Sequence, residues 1–468
     1  MKERMQKMSA SNDSRPRRDS TECECYEGVQ TYMGITENTL EEVHFERGDL
    51  LEFIVSPSNM NAAYRRVVSN GGSGGIDKVG VEALLPYLRC HKDELVSSLM
   101  DGRYRPNPVR RVEIPKDKGK MRQLGIPTVV DRTVQQSISQ VLSLIYERQF
   151  NDSCFGFRPH RGCHDALRRA LSYLNEGYVY CISLDLERFF DTVNHSKLIE
   201  ILSRTVRDGR VVSLIHKYLN AGVMVDGCRE ETFEGVPQGG PLSPLLSNVM
   251  LNELDKCLEA RGHRYVRYAD DCMIFCKSRR AAERVRDSIT KYVECRLLLK
   301  VNRDKTVVGY AQRMKYLGYS FYKNKEGWRL SIHPKSVARI RSRLKVLTGR
   351  SNGMGYDRRK KELHSYVRGV IGYFHLADMK NRLQDMDEWL RRRIRMCLWK
   401  SWKRPKTREK RLLECGVKPY AAKQTSNFRI KYWRSAKSHV VHAALSNDWL
   451  RIDGYPCLMD YYVTMHRS

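Results

Sequence analysis

No two of the 14 cysteines are spaced as CxxC, and none of the 13 histidines belongs to an HExxH. A four-cysteine zinc knuckle and helix-borne zinc peptidase chemistry are therefore excluded. No apolar run approaches the roughly 18 residues that a membrane-spanning helix needs. The opening MKERMQKMSASNDSRPRRDS lacks the apolar core of a secretory signal, so the cysteines read as reduced and mostly buried thiols. No segment repeats at a fixed period. Acid is the scarce charge, with 54 Asp+Glu against 84 Lys+Arg and a formal net charge of +30. That surplus runs through the whole chain and implies a large polyanionic partner. The 468 residues, 41% of them apolar, suffice for two or three domains with real cores.

Residues 1–55 read as a partly disordered extension, basic to Arg18 and Glu-rich afterwards. SPSNMNAAYRRVV begins the globular part as a short helix, followed by NGGSGGID, which reads as a flexible flap. No strand precedes that loop and no βαβ unit follows it, so it is not a dinucleotide cradle. VRRVEIPKDKGKMRQLGIP (109–127) reads as a β-hairpin turning at Asp117–Gly119. In residues 128–150, Val134, Ile138, Val141 and Leu142 share one helical face. Strands are expected near 177–185, around 265–275, at 306–310 and at 316–322, with a Gly/Pro-rich loop that feeds a long helix over 235–260 and a helix at 280–296. Beyond Pro334 three basic helical stretches follow, at 335–348, 357–375 and 383–402. Met386, Trp389, Leu390, Ile394, Cys397 and Leu398 form the apolar stripe of the last, with Arg391–Arg393 and Arg395 largely outside it. KRPKTREK (403–410) reads as a polar break.

RYADDCMIF (267–275) sets Asp270 and Asp271 between two apolar runs, at or beside a hairpin tip. An ordinary turn would accommodate them. Adjacent like charges nevertheless call for a cationic counterpart. Asp185 closes the apolar strand VYCISL, where a carboxylate is costly without compensation; as the plainer alternative it caps the helix that follows. Together the three would offer the hard oxygen donors that Mg²⁺ prefers.

The linear set NGGSGGID, RRVEIPKDKGKMRQLGIPTVVDR, FGFRPHRGCHDAL, SLDLERFFDTVNH, GVPQGGPLSPLLSNVMLNELD, RYADDCMIF, KVNRDKT and KYLGYSF resembles the group II intron-encoded reverse transcriptases, or maturases, of the type lacking an endonuclease domain. The resemblance runs from about Ser56 to the C-terminus. It implies an α+β right-hand polymerase, with fingers and palm built on antiparallel sheet over 56–330. An α-helical thumb or maturase X domain would follow over 331–402, and a small DNA-binding-like segment over 403–468. It further implies RNA-directed DNA synthesis and binding of the intron RNA to assist splicing and mobility. Partners would be the intron RNA, an RNA template with a DNA primer, dNTPs and target DNA. The expected location is the bacterial cytoplasm, with an organelle as the alternative.

Carried over position by position, Asp185, Asp270 and Asp271 would hold two Mg²⁺ ions, with Mn²⁺ as a substitute. Lys116 and Arg122, with Arg110 or Arg111 as a third, would meet the triphosphate. Phe190 would exclude a ribose 2′-hydroxyl, with Phe189 beside it in the core. Gln238 in PQGG would lie beneath the incoming base, and Lys305 near the leaving pyrophosphate. KYLGYSF would be the primer grip, with packing the alternative for Tyr316 and Phe321. The arginines of 335–402 beside Trp389, Trp399 and Trp402 would face RNA backbone, and Tyr432 and Trp433 would serve the DNA-binding segment. Two rivals stand beside this reading: a splicing-only maturase whose polymerase site is a relic, and a defence or retron-type reverse transcriptase.

Overall fold

The computed structural model describes residues 49–115 and 121–467; most of the extension, Lys116 and the finger-hairpin turn lie outside them. The described chain forms two compact units. One runs up to Arg339 and takes in Leu376–Met379, and the other comprises Ile340–His375 and the residues from Lys380 onward.

The first unit is mixed α and β. The helix Leu50–Val55, counted with the extension from sequence, buries Leu50, Leu51 and Ile54 in the main core. Pro57–Asn70 follows as a helix with proline in its first turn, where the missing N–H costs nothing. Strands β1 (Val109–Pro115) and β2 (Met121–Ile126) form the expected antiparallel hairpin, with Ile114 opposite Arg122. Thr128 caps the helix Val129–Glu147 by accepting from the Asp131 amide, and Val134, Ile138, Val141 and Leu142 are buried as their spacing predicts. The strand β3 (Tyr180–Leu184) comes next. The short pair β4 (Val223–Val225) and β5 (Cys228–Glu230), passed over in the sequence, extends the finger sheet in the order β2-β1-β4-β5.

Strands β6 (Arg264–Tyr268), β7 (Asp271–Cys276) and β8 (Val307–Tyr310) join β3 in an antiparallel sheet ordered β6-β7-β3-β8. The helix Arg279–Arg296 packs on β3, β7 and β8, and Cys163–Asn175 and Ser243–Ala260 pack on β6. A third sheet holds β9 (Lys315–Tyr316), β10 (Tyr319–Asn324) and β11 (Gly327–Ile332). Tyr316 and Phe321 in it are buried, so packing is what they do.

The glycine-rich loop departs from the flexible flap expected of it. Arg110 donates to Gly74 O at 2.9 Å and to Ser73 Oγ at 3.1 Å, while Arg132 donates to Gly71 O and Ser73 O. Two guanidinium forks satisfy carbonyls that a mobile loop would leave to water, and the loop is held down.

The second unit is helical: the end of Pro334–Leu347, then Tyr356–Phe374, Lys380–Ser401, Pro405–Glu414, Pro419–Ser426, Tyr432–Ser435, His439–Ala444, Asn447–Ile452 and Leu458–Arg467. KRPKTREK is thus not a break: Pro405 opens a helix there and Leu412 is buried. Residues Ile394–Trp399 are all buried, because the chain beyond residue 430 packs on the helix Lys380–Ser401. Trp399 and Trp402 are core side chains, with rings 5.8 Å apart, and do not face solvent as RNA contacts would. Arg395 is likewise buried, donating to Leu445 O at 2.6 Å and Asn447 Oδ1 at 2.9 Å. The Arg392 guanidinium covers the Trp433 ring at 3.9 Å. Among the described residues no helix is long and apolar enough to cross a membrane.

Candidate active site

Antiparallel pairing carries β3 and β7 to a common end. Leu184 pairs with Cys272, so Asp185 and Asp271 stand one step further out on the two strands. Tyr268 pairs with Asp271 across a two-residue turn, Ala269-Asp270, and Ala269 has φ +55°. Asp270 therefore lies in the turn and Asp271 opens β7, both exposed. The backbone of Asp185 is stitched to the segment 302–306: Asn302 N donates to its carbonyl at 2.8 Å, and its own amide donates to Thr306 Oγ1 at 3.2 Å. That stitching brings Lys305 Nζ to 3.4 Å from both Asp185 carboxylate oxygens.

Among the described residues no three His, Cys, Asp or Glu side chains already form a group able to hold a metal ion. The fold brings Asp185 and Asp271 to one sheet end without closing the three carboxylates into a finished cluster. The donor set nonetheless suits a hard divalent ion: oxygen ligands only, at an accessible edge, with Asp185 already drawing a point cation.

The other expected contacts fall into three groups. Arg122 and Gln238 are brought together, the Arg122 Nε donating to Gln238 Oε1 at 2.8 Å. Gly125 N also donates to Gln238 O at 2.7 Å, which lashes the PQGG loop to β2. Gly239, at φ +126°, lies so close that a Cβ there would sit 2.6 Å from Gly125 O, so only glycine serves. Phe190 is joined to the same loop through its carbonyl, which accepts from Val236 N at 2.6 Å. Its ring is buried edge-on against Phe189, 5.3 Å away, and only a margin of it is accessible. Arg110, by contrast, commits its Nε and Nη2 to the glycine-rich loop, and Arg111 lies 3.5 Å from Glu230. Lys116 is outside the described residues.

Residues 114–321 match the family described as "Reverse transcriptase (RNA-dependent DNA polymerase)", and residues 337–416 match "Group II intron, maturase-specific domain". Protein YkfC of Escherichia coli is 35% identical over 299 residues, 55% of this chain and 78% of YkfC. The chain belongs to the group II intron reverse transcriptase–maturase family. It carries an RNA-directed DNA polymerase domain followed by a maturase domain. The group II intron-encoded protein LtrA of Lactococcus lactis is 28% identical over 362 residues, 63% of this chain and 60% of LtrA. Among solved structures, apo telomerase from Candida tropicalis matches over 48% of this chain and 55% of its own at 15% identity. Its TM-score of 0.40 is too low to bear on the fold. Reverse transcriptase domains in general depend on divalent metal.

One part of this reverse transcriptase escapes the sequence reading. Arg267, two residues before the turn, is fully buried against fully buried Asp255. Burial is the strongest influence on this guanidinium and lowers its pKa, but the charge and hydrogen bonds of Asp255, together with Cys154 and Cys272 beside it, raise it overall and keep the cation charged. A signal was available. Asp255 falls at helical spacing with buried Leu251, Leu254 and Leu258, and a carboxylate on such a stripe requires a partner.

Proposed function

We propose that this chain extends a DNA primer on an RNA template and binds its group II intron RNA to assist splicing and mobility. On this reading residues 56–330 are fingers and palm of a right-hand polymerase, 331–402 the thumb or X domain, and 403–468 the segment that meets target DNA. The observation that carries it is the β3–β7 register, which sets Asp185 and Asp271 at one sheet end beside the Asp270 turn, within the polymerase match.

Asp185, Asp270 and Asp271 would hold two Mg²⁺ ions, Mn²⁺ substituting. Such a pair supplies charge neutralisation and an acidified hydroxyl in an in-line phosphoryl displacement. The primer 3′-oxygen bonds to the α-phosphorus of a dNTP, the bond to the bridging oxygen breaks, and pyrophosphate leaves. Lys305, drawn to Asp185 at 3.4 Å, would give a proton or positive charge to the leaving phosphates. Arg122 would fork onto the triphosphate, and its bond to Gln238 would hold the floor beneath the incoming base. Phe190 would turn away a 2′-hydroxyl with the exposed margin of its ring. Lys116 keeps its proposed triphosphate contact, whereas the commitment of Arg110 to the glycine-rich loop speaks for a supporting role.

Primer extension on RNA tests the reading. Asp270→Ala is expected to abolish dNTP incorporation while intron-RNA affinity stays near wild type. Undiminished cDNA synthesis by that variant contradicts the site assignment. A wild-type chain that promotes splicing yet incorporates nothing would favour the splicing-only maturase.

A further inference from the structure

The acidic turn is strained and held from below. Ala269 occupies the left-handed region that an L-residue adopts only at a cost, and it does so at the first central position of a two-residue turn, where glycine is usual. Arg267 Nη1 donates to the Ala269 carbonyl at 3.0 Å and to Asn248 Oδ1 at 3.0 Å. Its Nε donates to Asp255 at 2.9 Å, and Nη2 reaches Asp255 and Cys154 Sγ. All five guanidinium protons are spent, a geometry that only arginine offers.

The network grips the turn from its other side as well. Asn248 Nδ2 donates to Gly156 O at 2.8 Å, and Gly156 lies so near that a Cβ on it would meet Ala269 N at 2.2 Å. The main chain of Arg267 exchanges hydrogen bonds of 2.8 Å with Ser153 O and Phe155 N. A buried ion pair is weak evidence for stability, and its attested use is to hold one arrangement against others.

We propose that Arg267 is a positioning residue of the polymerase: through the Ala269 carbonyl it fixes the turn that presents Asp270 and Asp271. This rests on the reading of those aspartates as metal ligands. Arg267 touches no substrate; it acts through a backbone carbonyl, and Asp255 and Asn248 hold its fork in register.

The test uses the full chain carrying Arg267→Lys, which keeps the charge opposite Asp255 but cannot reach Asp255, Asn248 and Ala269 together. Expected are a fall in kcat for dNTP addition on the order of 100-fold, unchanged KM for template–primer, and weaker Mn²⁺ binding to the free protein by electron paramagnetic resonance. Ala269→Gly, which removes the strain, is expected to restore part of that loss when added to Arg267→Lys. Should Arg267→Lys fail to fold, Asn248→Leu leaves the ion pair intact and is expected to lower kcat and Mn²⁺ affinity in the same direction. Wild-type kcat, or a loss that only follows the folded fraction with Mn²⁺ affinity intact and no restoration by Ala269→Gly, overturns the proposal. Asp270→Ala assayed in parallel separates the two claims. Activity kept by that variant defeats the acidic-site reading; activity lost there but kept in Arg267→Lys defeats this inference alone.

Discussion

Arg267 in the first unit and Arg395 in the second are both buried, at 0% and 3% exposure, yet they are neutralised differently. Arg267 meets the Asp255 carboxylate, and Arg158 beside it in the same unit meets Glu147 at 2.6 Å. Arg395 meets a carbonyl and an amide oxygen, Arg393 donates to Lys345 O and Thr348, and Arg359 to Met354 O and Asn352. Without a counter-ion, burial and the neighbouring Arg391 push the Arg395 guanidinium down to about 10. In the first unit acid thus locks Arg267 and Arg158, while Arg132 is held by the Gly71, Ser73 and Pro127 carbonyls. The second binds its buried arginines through neutral oxygens and keeps its charge: residues 340–468 hold 30 Lys+Arg against 11 Asp+Glu. A helical unit built this way supports itself without cancelling the field that an RNA backbone would feel.

The largest effect that tests this contrast comes from Asp255→Ala, which strands the Arg267 charge in a dry interior. It is expected to destabilise the first unit by about 3–5 kcal/mol in thermal or denaturant unfolding. Arg395→Met removes a buried charge with no carboxylate left behind, so its cost is the two abandoned oxygens, about 1–3 kcal/mol. Equal losses for the two would erase the distinction. Smallest is Trp389→Ala. This half-exposed ring lies under Arg341 at 4.8 Å and Arg393 at 5.2 Å, and its loss is expected to cost only about 1 kcal/mol of stability. RNA affinity, measured by filter binding, should fall in that variant, because two guanidinium groups lose the ring that orients them. Unchanged affinity would put the RNA-binding surface elsewhere.

Much of the first unit was legible. The apolar runs on either side of Asp270-Asp271 and before Asp185 are strands because their residues are buried on the sheet, and a polar pair between two such runs can only be a turn. Strand β11 was also there to be read, since Trp328, Leu330 and Ile332 alternate with more exposed neighbours. What escaped depends on distant partners. NGGSGGID looks mobile in sequence because its restraints, Arg110 and Arg132, lie some 36 to 61 positions away. The stripe on Lys380–Ser401 gives no hint that its last turns are covered all round, because the covering helices, Tyr432–Ser435 and Leu458–Arg467, are short and lie far along the chain. The aspartates could be named from motif order, but the Lys305 contact to Asp185 follows from backbone bonds between 185 and 302–306 that no local pattern encodes.

Polymerase chemistry at this sheet end requires that Asp185, Asp270 and Asp271 close on divalent metal once substrate arrives. The most direct measurement is a structure of the full chain with primed RNA template, dNTP and Mn²⁺, read by anomalous scattering. The prediction is a pair of peaks within direct coordination distance of oxygens of those carboxylates, with Lys305 drawn off Asp185 towards the triphosphate. Peaks elsewhere, with Lys305 still seated on Asp185, would contradict it.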